Sequence, residues 1–175
     1  MESRARLLGH SIHPILIVFP LGLLATGVIF DFIRLIGGSQ TFTLVAYWMI
    51  ASGLVGGVIA ALFGWIDWLA IPHNSRAKRV GLMHGVVNMI VLGLYAVSLA
   101  LRTNDPSQPE IAATVFSTVG AGFAMVGGWL GGELVERLGV AVHEGANVDA
   151  PSSLSITHVP SDVHHRHGAI AGARR

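Results

Sequence analysis

Four long apolar segments dominate the pattern of hydrophobic and polar positions along the chain. They run over about 14–36, 42–71, 80–101 and 111–138, with polar or charged stretches between them. A helix needs about 20 apolar residues to cross the ~30 Å hydrocarbon core of a bilayer, and each segment reaches that length. Their uniform apolar character favours helices over a transmembrane barrel. The pattern predicts an all-α, integral membrane four-helix bundle over residues 1–142.

Composition agrees with lipid as the main solvent. Of 175 residues, 52% are hydrophobic and only 12% are charged, whereas soluble domains carry about 25% charged residues. A net charge of +1 with scattered basic residues predicts no nucleic-acid partner. The absence of cysteine excludes disulfides, thiolate metal sites, iron–sulfur ligation and cysteine nucleophiles.

The basic residues predict the orientation of the bundle. They lie before the first segment, between the second and third, after the fourth, and in the tail: Arg4, Arg6, Arg76, Lys78, Arg79, Arg137, Arg166, Arg174 and Arg175. Because basic loops stay inside, we expect a multi-pass protein of the bacterial inner membrane with cytoplasmic N- and C-termini.

Residues 143–175 differ from the rest of the chain. This stretch is rich in Ser, Pro, Gly and Ala, lacks helical periodicity, and ends in the histidines His158, His164, His165 and His167. Such composition predicts a disordered cytoplasmic tail. Its histidines are either incidental or a weak chelating cluster.

Ionisable residues inside the spans need a partner or a role, because each costs about 2.5–3.5 kcal/mol on insertion scales. At about 1.5 Å per helical residue, the number of residues from the basic positions at the membrane interface gives the depth of each ionisable residue. By this count, one ionisable residue from each helix lies at a similar depth. The predicted inner polar layer comprises His13, Asp67, His84 and Glu133, with His10 as a fifth member.

The order of these groups suggests two pseudo-symmetric helical hairpins. Each half has a histidine near its start and a Gly-Trp pair followed by a carboxylate near its return: Gly64-Trp65 before Asp67, and Gly128-Trp129 before Glu133. Parallel repeats of this kind occur in transporters.

Imidazoles and carboxylates are ligands for iron, copper, zinc or manganese, and helical bundles build such sites between facing helices. Alternatively, His13 and His84 would hold a b-type haem axially. Asn88, Trp65 and Trp129 are expected to support the site from outside the ligand set. The competing interpretation is that Asp67 and Glu133 tie the rim of the bundle through ion pairs. At the other end, Asp31, Arg34 and Arg102 predict an interfacial salt bridge.

Several motifs resemble those of the bacterial domain-of-unknown-function family 2231. They are His10-Ser11-Ile12-His13-Pro14, Phe19-Pro20-Leu21-Gly22, Gly64-Trp65-Ile66-Asp67, the His84 helix, Gly131-Gly132-Glu133-Leu134-Val135 and Gly139-Val140-Ala141-Val142. The resemblance covers about 9–142. It implies a four-helix membrane protein of unknown activity, and the fusion of some members to Rieske-type domains implies redox work near the membrane. The chain departs from the family at Glu136, where an aromatic residue is expected.

Three functions follow from these observations. The leading hypothesis is a metal- or haem-binding protein that transfers electrons or handles a redox metal, with a redox protein or a membrane complex as partner. The second is a structural or assembly subunit without a cofactor, and the third is a proton or small-solute path. A homo-oligomer is a further possible assembly, although purification as a lone oligomer would count against the second hypothesis. Nucleophile-elbow and phosphate-loop motifs are absent, so electron transfer is favoured over stand-alone catalysis.

Overall fold

The computed structural model describes residues 1–155 and has the four helices that the apolar segments predict. They are α1 (Ile12–Leu35), α2 (Gln40–Ala70), α3 (Arg76–Ala100) and α4 (Ile111–Gly132). All four are long and apolar enough to cross a membrane. Most of their large apolar side chains are exposed on the outside of the bundle, as a lipid-facing surface requires. The chain is therefore a four-span membrane protein.

The helices form two antiparallel hairpins, α1 with α2 and α3 with α4, which pack side by side. Short connections separate the partners within each hairpin. Ser39 and Ser75 begin α2 and α3, and each side chain accepts a hydrogen bond from a backbone amide in the first turn. Helices α1, α2 and α3 begin two to four residues earlier than the hydropathy pattern predicts, whereas α4 begins at the predicted residue. Amphiphilic residues such as Arg76 extend a span beyond its apolar part.

Two small elements flank the bundle on the side where α1 begins and α4 ends. A two-stranded hairpin, β1 (Arg6–Leu7) and β2 (His10–Ser11), precedes α1. A single π-helical turn (Glu133–Arg137) follows α4. The hydropathy pattern predicts neither, because elements this short carry little apolar signal. Residues 143–155 contain only turns and bends. The four tail histidines lie outside the described residues.

Glycines allow the helices to approach closely at particular positions. A Cβ atom at Gly53 would lie 2.7 Å from Leu24, and one at Gly57 would lie 2.6 Å from Leu92. On α4, Gly120 faces Tyr95 in the same way, whereas Gly128 and Gly132 have open space around them. The packing face of α4 is therefore rotated from the Gly128–Gly132 pair that spacing alone selects.

A buried ion pair joins the hairpins at the end where α1 and α3 finish. Arg102 donates two hydrogen bonds to Asp31, from Nη1 to Oδ1 (2.7 Å) and from Nη2 to Oδ2 (2.5 Å), and both side chains are almost fully buried. Ser98 accepts from Arg102, and Ser117 donates to Asp31. The predicted salt bridge is therefore present, but it lies in the interior and Arg34 is not part of it.

Candidate functional site

The first histidine of the predicted inner layer, His13, is held by the other helix of its own hairpin. It lies in the first turn of α1, and its Nδ1 is 2.8 Å from the carbonyl oxygen of Ala60 in α2. Gly64, one turn further along α2, makes this approach possible, because a Cβ there would lie 2.9 Å from His13 Cε1. A small residue one turn after the acceptor carbonyl thus creates the notch in which the imidazole lies.

His84 has the equivalent arrangement in the second hairpin. Its Nδ1 is 2.9 Å from the carbonyl oxygen of Gly127 in α4, and a Cβ at Gly131 would lie 3.2 Å from His84 Cε1. In both hairpins the notch residue follows the acceptor by four positions. These contacts support the predicted repeat, but they pair Gly64 with Gly131. The Gly-Trp motif predicted that Gly64 of the first half corresponds to Gly128 of the second. Because the structure makes Gly131 the equivalent residue, the predicted alignment of the two halves was wrong.

The two imidazoles face each other between α1 and α3. Their ring centroids are 6.3 Å apart and the rings are nearly perpendicular, at 87°. Both are partly buried. A carbonyl oxygen can only accept a hydrogen bond, so Nδ1 of each ring carries the proton. The neutral form then has its lone pair on Nε2, the atom that histidine commonly offers to a metal.

The notch glycines provide a direct test of this arrangement. Replacing Gly64 with Ala should displace the His13 ring and remove a hydrogen bond worth about 0.5–1.5 kcal/mol. We expect the Nδ1–H resonance of His13 to lose its protection from exchange in nitrogen-15 NMR of labelled protein. Gly128→Ala is the matched control, since its new methyl group meets open space, and it should leave that resonance unchanged. A protected His13 resonance in Gly64→Ala would contradict the notch.

Asp67 does not face the imidazoles. Its Oδ1 accepts three hydrogen bonds from the segment before β1: from Ser3 Oγ (2.6 Å), Arg4 N (3.0 Å) and Ala5 N (3.3 Å). The carboxylate is buried, and these donors compensate for its desolvation. Asp67 therefore ties the N-terminal segment to the end of α2.

Glu133 and His10 are also occupied elsewhere. Glu133 pairs with Arg76, which begins α3, at 2.5 Å. His10 lies exposed in β2, with Nδ1 3.2 Å from the carbonyl oxygen of Leu8. Residues 1–155 contain no cluster of three or more His, Asp or Glu side chains that could hold a metal ion. Of the five predicted ligands, the structure brings together His13 and His84.

Of the three residues predicted to support the site, one contacts the histidine pair and two do not. Asn88 lies one turn beyond His84, donates to its backbone carbonyl (2.8 Å) and places Nδ2 3.3 Å from its Nε2. Its amide also packs against Gly127. Trp65 and Trp129 are largely exposed on the outer surface, at 61% and 68%. Asn88 therefore belongs to the histidine pair, whereas the two indoles are placed to contact lipid.

Comparison with known proteins identifies a family without an assigned activity. The family model described as "Predicted membrane protein (DUF2231)" matches residues 9–144, which include all four helices and both histidines of the pair. No curated protein and no solved structure matches the chain. The model covers well over half of the sequence, and the motifs at Gly9–Pro14 and Gly131–Val142 fall inside it. The chain belongs to the DUF2231 family of membrane proteins.

Proposed function

We propose that this protein binds a redox-active metal, as copper or as haem iron, through Nε2 of His13 and His84, and that it serves electron transfer or the handling of that metal. The observation that carries the proposal is the pair of imidazoles facing each other from equivalent positions of the two hairpins. Each imidazole is fixed through Nδ1 by a backbone carbonyl.

The hydrogen bonds support this role because they orient the rings before any metal arrives. Metal-ligating histidines almost always donate their second ring N–H to a carbonyl, a carboxylate or water, which fixes the tautomer and the ring plane. Ala60 and Gly127 supply those carbonyls here. Nε2 of His84 lies 3.3 Å from Nδ2 of Asn88, a contact that a bound metal would replace.

The separation of the rings is also suitable. A metal–nitrogen bond of about 2.0–2.1 Å places two opposed nitrogens ~4 Å apart, and the centroids of their rings roughly 6 Å apart. The observed centroid distance of 6.3 Å falls near this value.

The donor set narrows the choice of metal. Asp67 and Glu133 are engaged in other contacts, so a site of two imidazoles remains. Imidazole suits copper, zinc, nickel and iron, whereas manganese prefers oxygen ligands. Two opposed imidazoles also provide the axial ligands of a b-type haem. A redox metal in a membrane needs an electron donor or acceptor, so a redox protein or a membrane complex is the implied partner.

From the positive-inside rule we infer that this site lies in the inner half of a bacterial cytoplasmic membrane. The strands, the π-helical turn and the start of α3 surround the same end of the bundle, and Arg4, Arg6, Arg76, Lys78, Arg79 and Arg137 all lie there. Both termini are then cytoplasmic, and the partner would approach from that side.

Metal content tests the proposal most directly. The starting protein carries His158, His164, His165 and His167 replaced by Ala, so that the tail does not contribute metal. We expect near-stoichiometric copper or iron by elemental analysis of detergent-purified protein, with a Soret band if the iron is in haem. His13→Ala/His84→Ala should reduce the metal content at least tenfold.

Two control variants separate the two-imidazole site from the wider ligand set. His10→Ala and Asp67→Asn remove predicted ligands that lie away from the pair, and both should retain the metal. Retention of full metal content by the His13→Ala/His84→Ala protein would exclude the site. A loss in Asp67→Asn equal to that of the double variant would instead restore the carboxylate as a ligand.

A further inference from the structure

We infer that the end of the bundle opposite the histidine pair contains a binding site for a phosphate group, held by Arg34 and Thr43. A cavity of about 350 Å³ opens there between the end of α1, the start of α2 and the start of α4. Its wall includes Asp31, Arg34, Leu35, Thr43, Ile111 and Thr114. This inference is independent of the metal proposal.

Arg34 supplies a positive charge without a counter-charge. Among residues 1–155, no carboxylate lies within ion-pairing distance of its guanidinium. Asp31, its neighbour one turn earlier, has both oxygens bonded to Arg102. The guanidinium is partly buried beside the cavity, and its planar set of N–H donors matches the oxygens of a phosphate.

Thr43 supplies an unused hydroxyl. Its side chain is 2% exposed, and Oγ1 is the one buried side-chain oxygen or nitrogen of the described residues that has no hydrogen-bond partner. A buried hydroxyl left unpaired costs about 1–3 kcal/mol. Thr43 lines the same cavity as Arg34. Its Oγ1 is shielded from solvent, so rotation of the side chain would bring the hydroxyl to a bound oxyanion.

The helix N-termini at the cavity also favour an anion. Two helices, α2 and α4, begin at the cavity, and helix N-termini carry a partial positive charge. The N-cap residue of α4, Glu110, makes no side-chain capping bond. The first backbone amides of that helix therefore donate no hydrogen bond to an N-cap side chain. Three carboxylates lie near the cavity: Asp31 lines it but is paired with Arg102, Glu110 precedes α4, and Asp105 lies in the loop before α4. Hydrogen bonds from the hydroxyl and amide of Ser107 lower the pKa of Asp105, which lies exposed outside the cavity wall.

The position of the cavity makes a phospholipid headgroup one source of the phosphate. A 24-residue helix is about 36 Å long, so the end of α1 reaches the headgroup level of a bilayer. Leu35 and Ile111 are exposed apolar residues at the cavity wall, where acyl chains would begin. A soluble phosphate or phosphate ester is the other source, and it has the same recognition chemistry.

Binding to full-length protein in a maltoside detergent tests the site in two arms. The first titrates inorganic phosphate by calorimetry. The second adds phosphatidylglycerol and counts bound lipids by native mass spectrometry, with the corresponding diacylglycerol, which lacks phosphate, as the reference. Arg34→Gln removes a charge-assisted hydrogen bond to the phosphate. In whichever arm detects binding, we expect this variant to weaken it by about tenfold or more. Arg79→Gln is the matched control, since Arg79 is exposed at the opposite end.

Variants of Thr43 give a second, independent readout, because thermal stability and phosphate binding should change in opposite directions. Thr43→Val removes the unpaired hydroxyl, so the ligand-free protein should melt at a higher temperature while phosphate binding weakens. Thr43→Ser should retain binding. Lipid binding that depends on Arg34 and Thr43 supports a headgroup, and binding of inorganic phosphate with the same dependence supports a soluble ligand. If both arms show no binding, or binding that Arg34→Gln and Thr43→Val leave unchanged, the site does not exist.

Discussion

Arg102→Met should destabilise the bundle by about 3–5 kcal/mol, the cost of leaving one charge of a buried pair without its partner. Asp31 would keep only the hydrogen bond from Ser117, which lies at 3.2 Å, in place of the two donated by Arg102. In a bilayer the carboxylate would have to take up a proton or move toward water. Thermal unfolding of the detergent-purified protein, followed by circular dichroism, measures the effect.

Two further variants show whether the pair itself is responsible. In Asp31→Leu/Arg102→Met both charges are absent, and most of the lost stability should return, because replacing both members of a buried pair by apolar residues is often neutral. Arg79→Met removes an exposed arginine that makes no ion pair within the described residues, and it should change stability by less than about 0.5 kcal/mol. A double variant as unstable as Arg102→Met alone would contradict this account.

Asp67→Ala should release the N-terminal segment while the four helices remain folded. A single carboxylate oxygen accepts bonds from Ser3, Arg4 and Ala5, and hydrogen bonds to a charged group are worth about 1.5–3 kcal/mol. Protection of the amides in residues 3–12 from hydrogen exchange should fall by about ten- to a hundredfold. Mass spectrometry of peptides from the exchanged protein measures this loss.

The controls for Asp67 separate a local role from a general effect of charge. Asp67→Asn keeps an acceptor oxygen, so it should give an intermediate loss of protection. Glu136→Ala removes an exposed carboxylate at the same end of the chain and should leave residues 3–12 protected. Uniform loss of protection across α3 and α4 would mean that Asp67 supports the whole bundle.

The hydropathy pattern was sufficient for the fold but not for the contacts of the polar residues. Long apolar runs separated by short loops define four spans, and they allow little besides antiparallel hairpins. Counting residues from the interface gives the depth of a side chain but not the direction in which it points around its helix. Asp67 and Glu133 share a level with the histidines by that count, yet one faces the N-terminal segment and the other faces Arg76.

The contacts that the sequence did not predict involve backbone atoms or side chains that are far apart in the chain. Ala60 and Gly127 act through backbone carbonyls, which every residue has, so no side-chain pattern identifies them. In the sequence, Ser98 and Ser117 are ordinary small residues of a membrane helix. Their role is apparent only in the fold, where Asp31 and Arg102, 71 positions apart, meet beside them. The useful signal was the glycine one turn after each acceptor, at Gly64 and Gly131.

The division into two hairpins has a consequence for synthesis of the protein. The first hairpin, ending at Ala70, is synthesised before Arg102. At that stage it already contains both His13 and the carbonyl that orients it, but Asp31 has no basic partner at its own depth within the bundle. The early intermediate therefore has one imidazole in place and one carboxylate that still lacks the arginine with which it pairs in the complete bundle. Insertion of the second hairpin supplies in one step both the guanidinium that pairs with this carboxylate and the second imidazole.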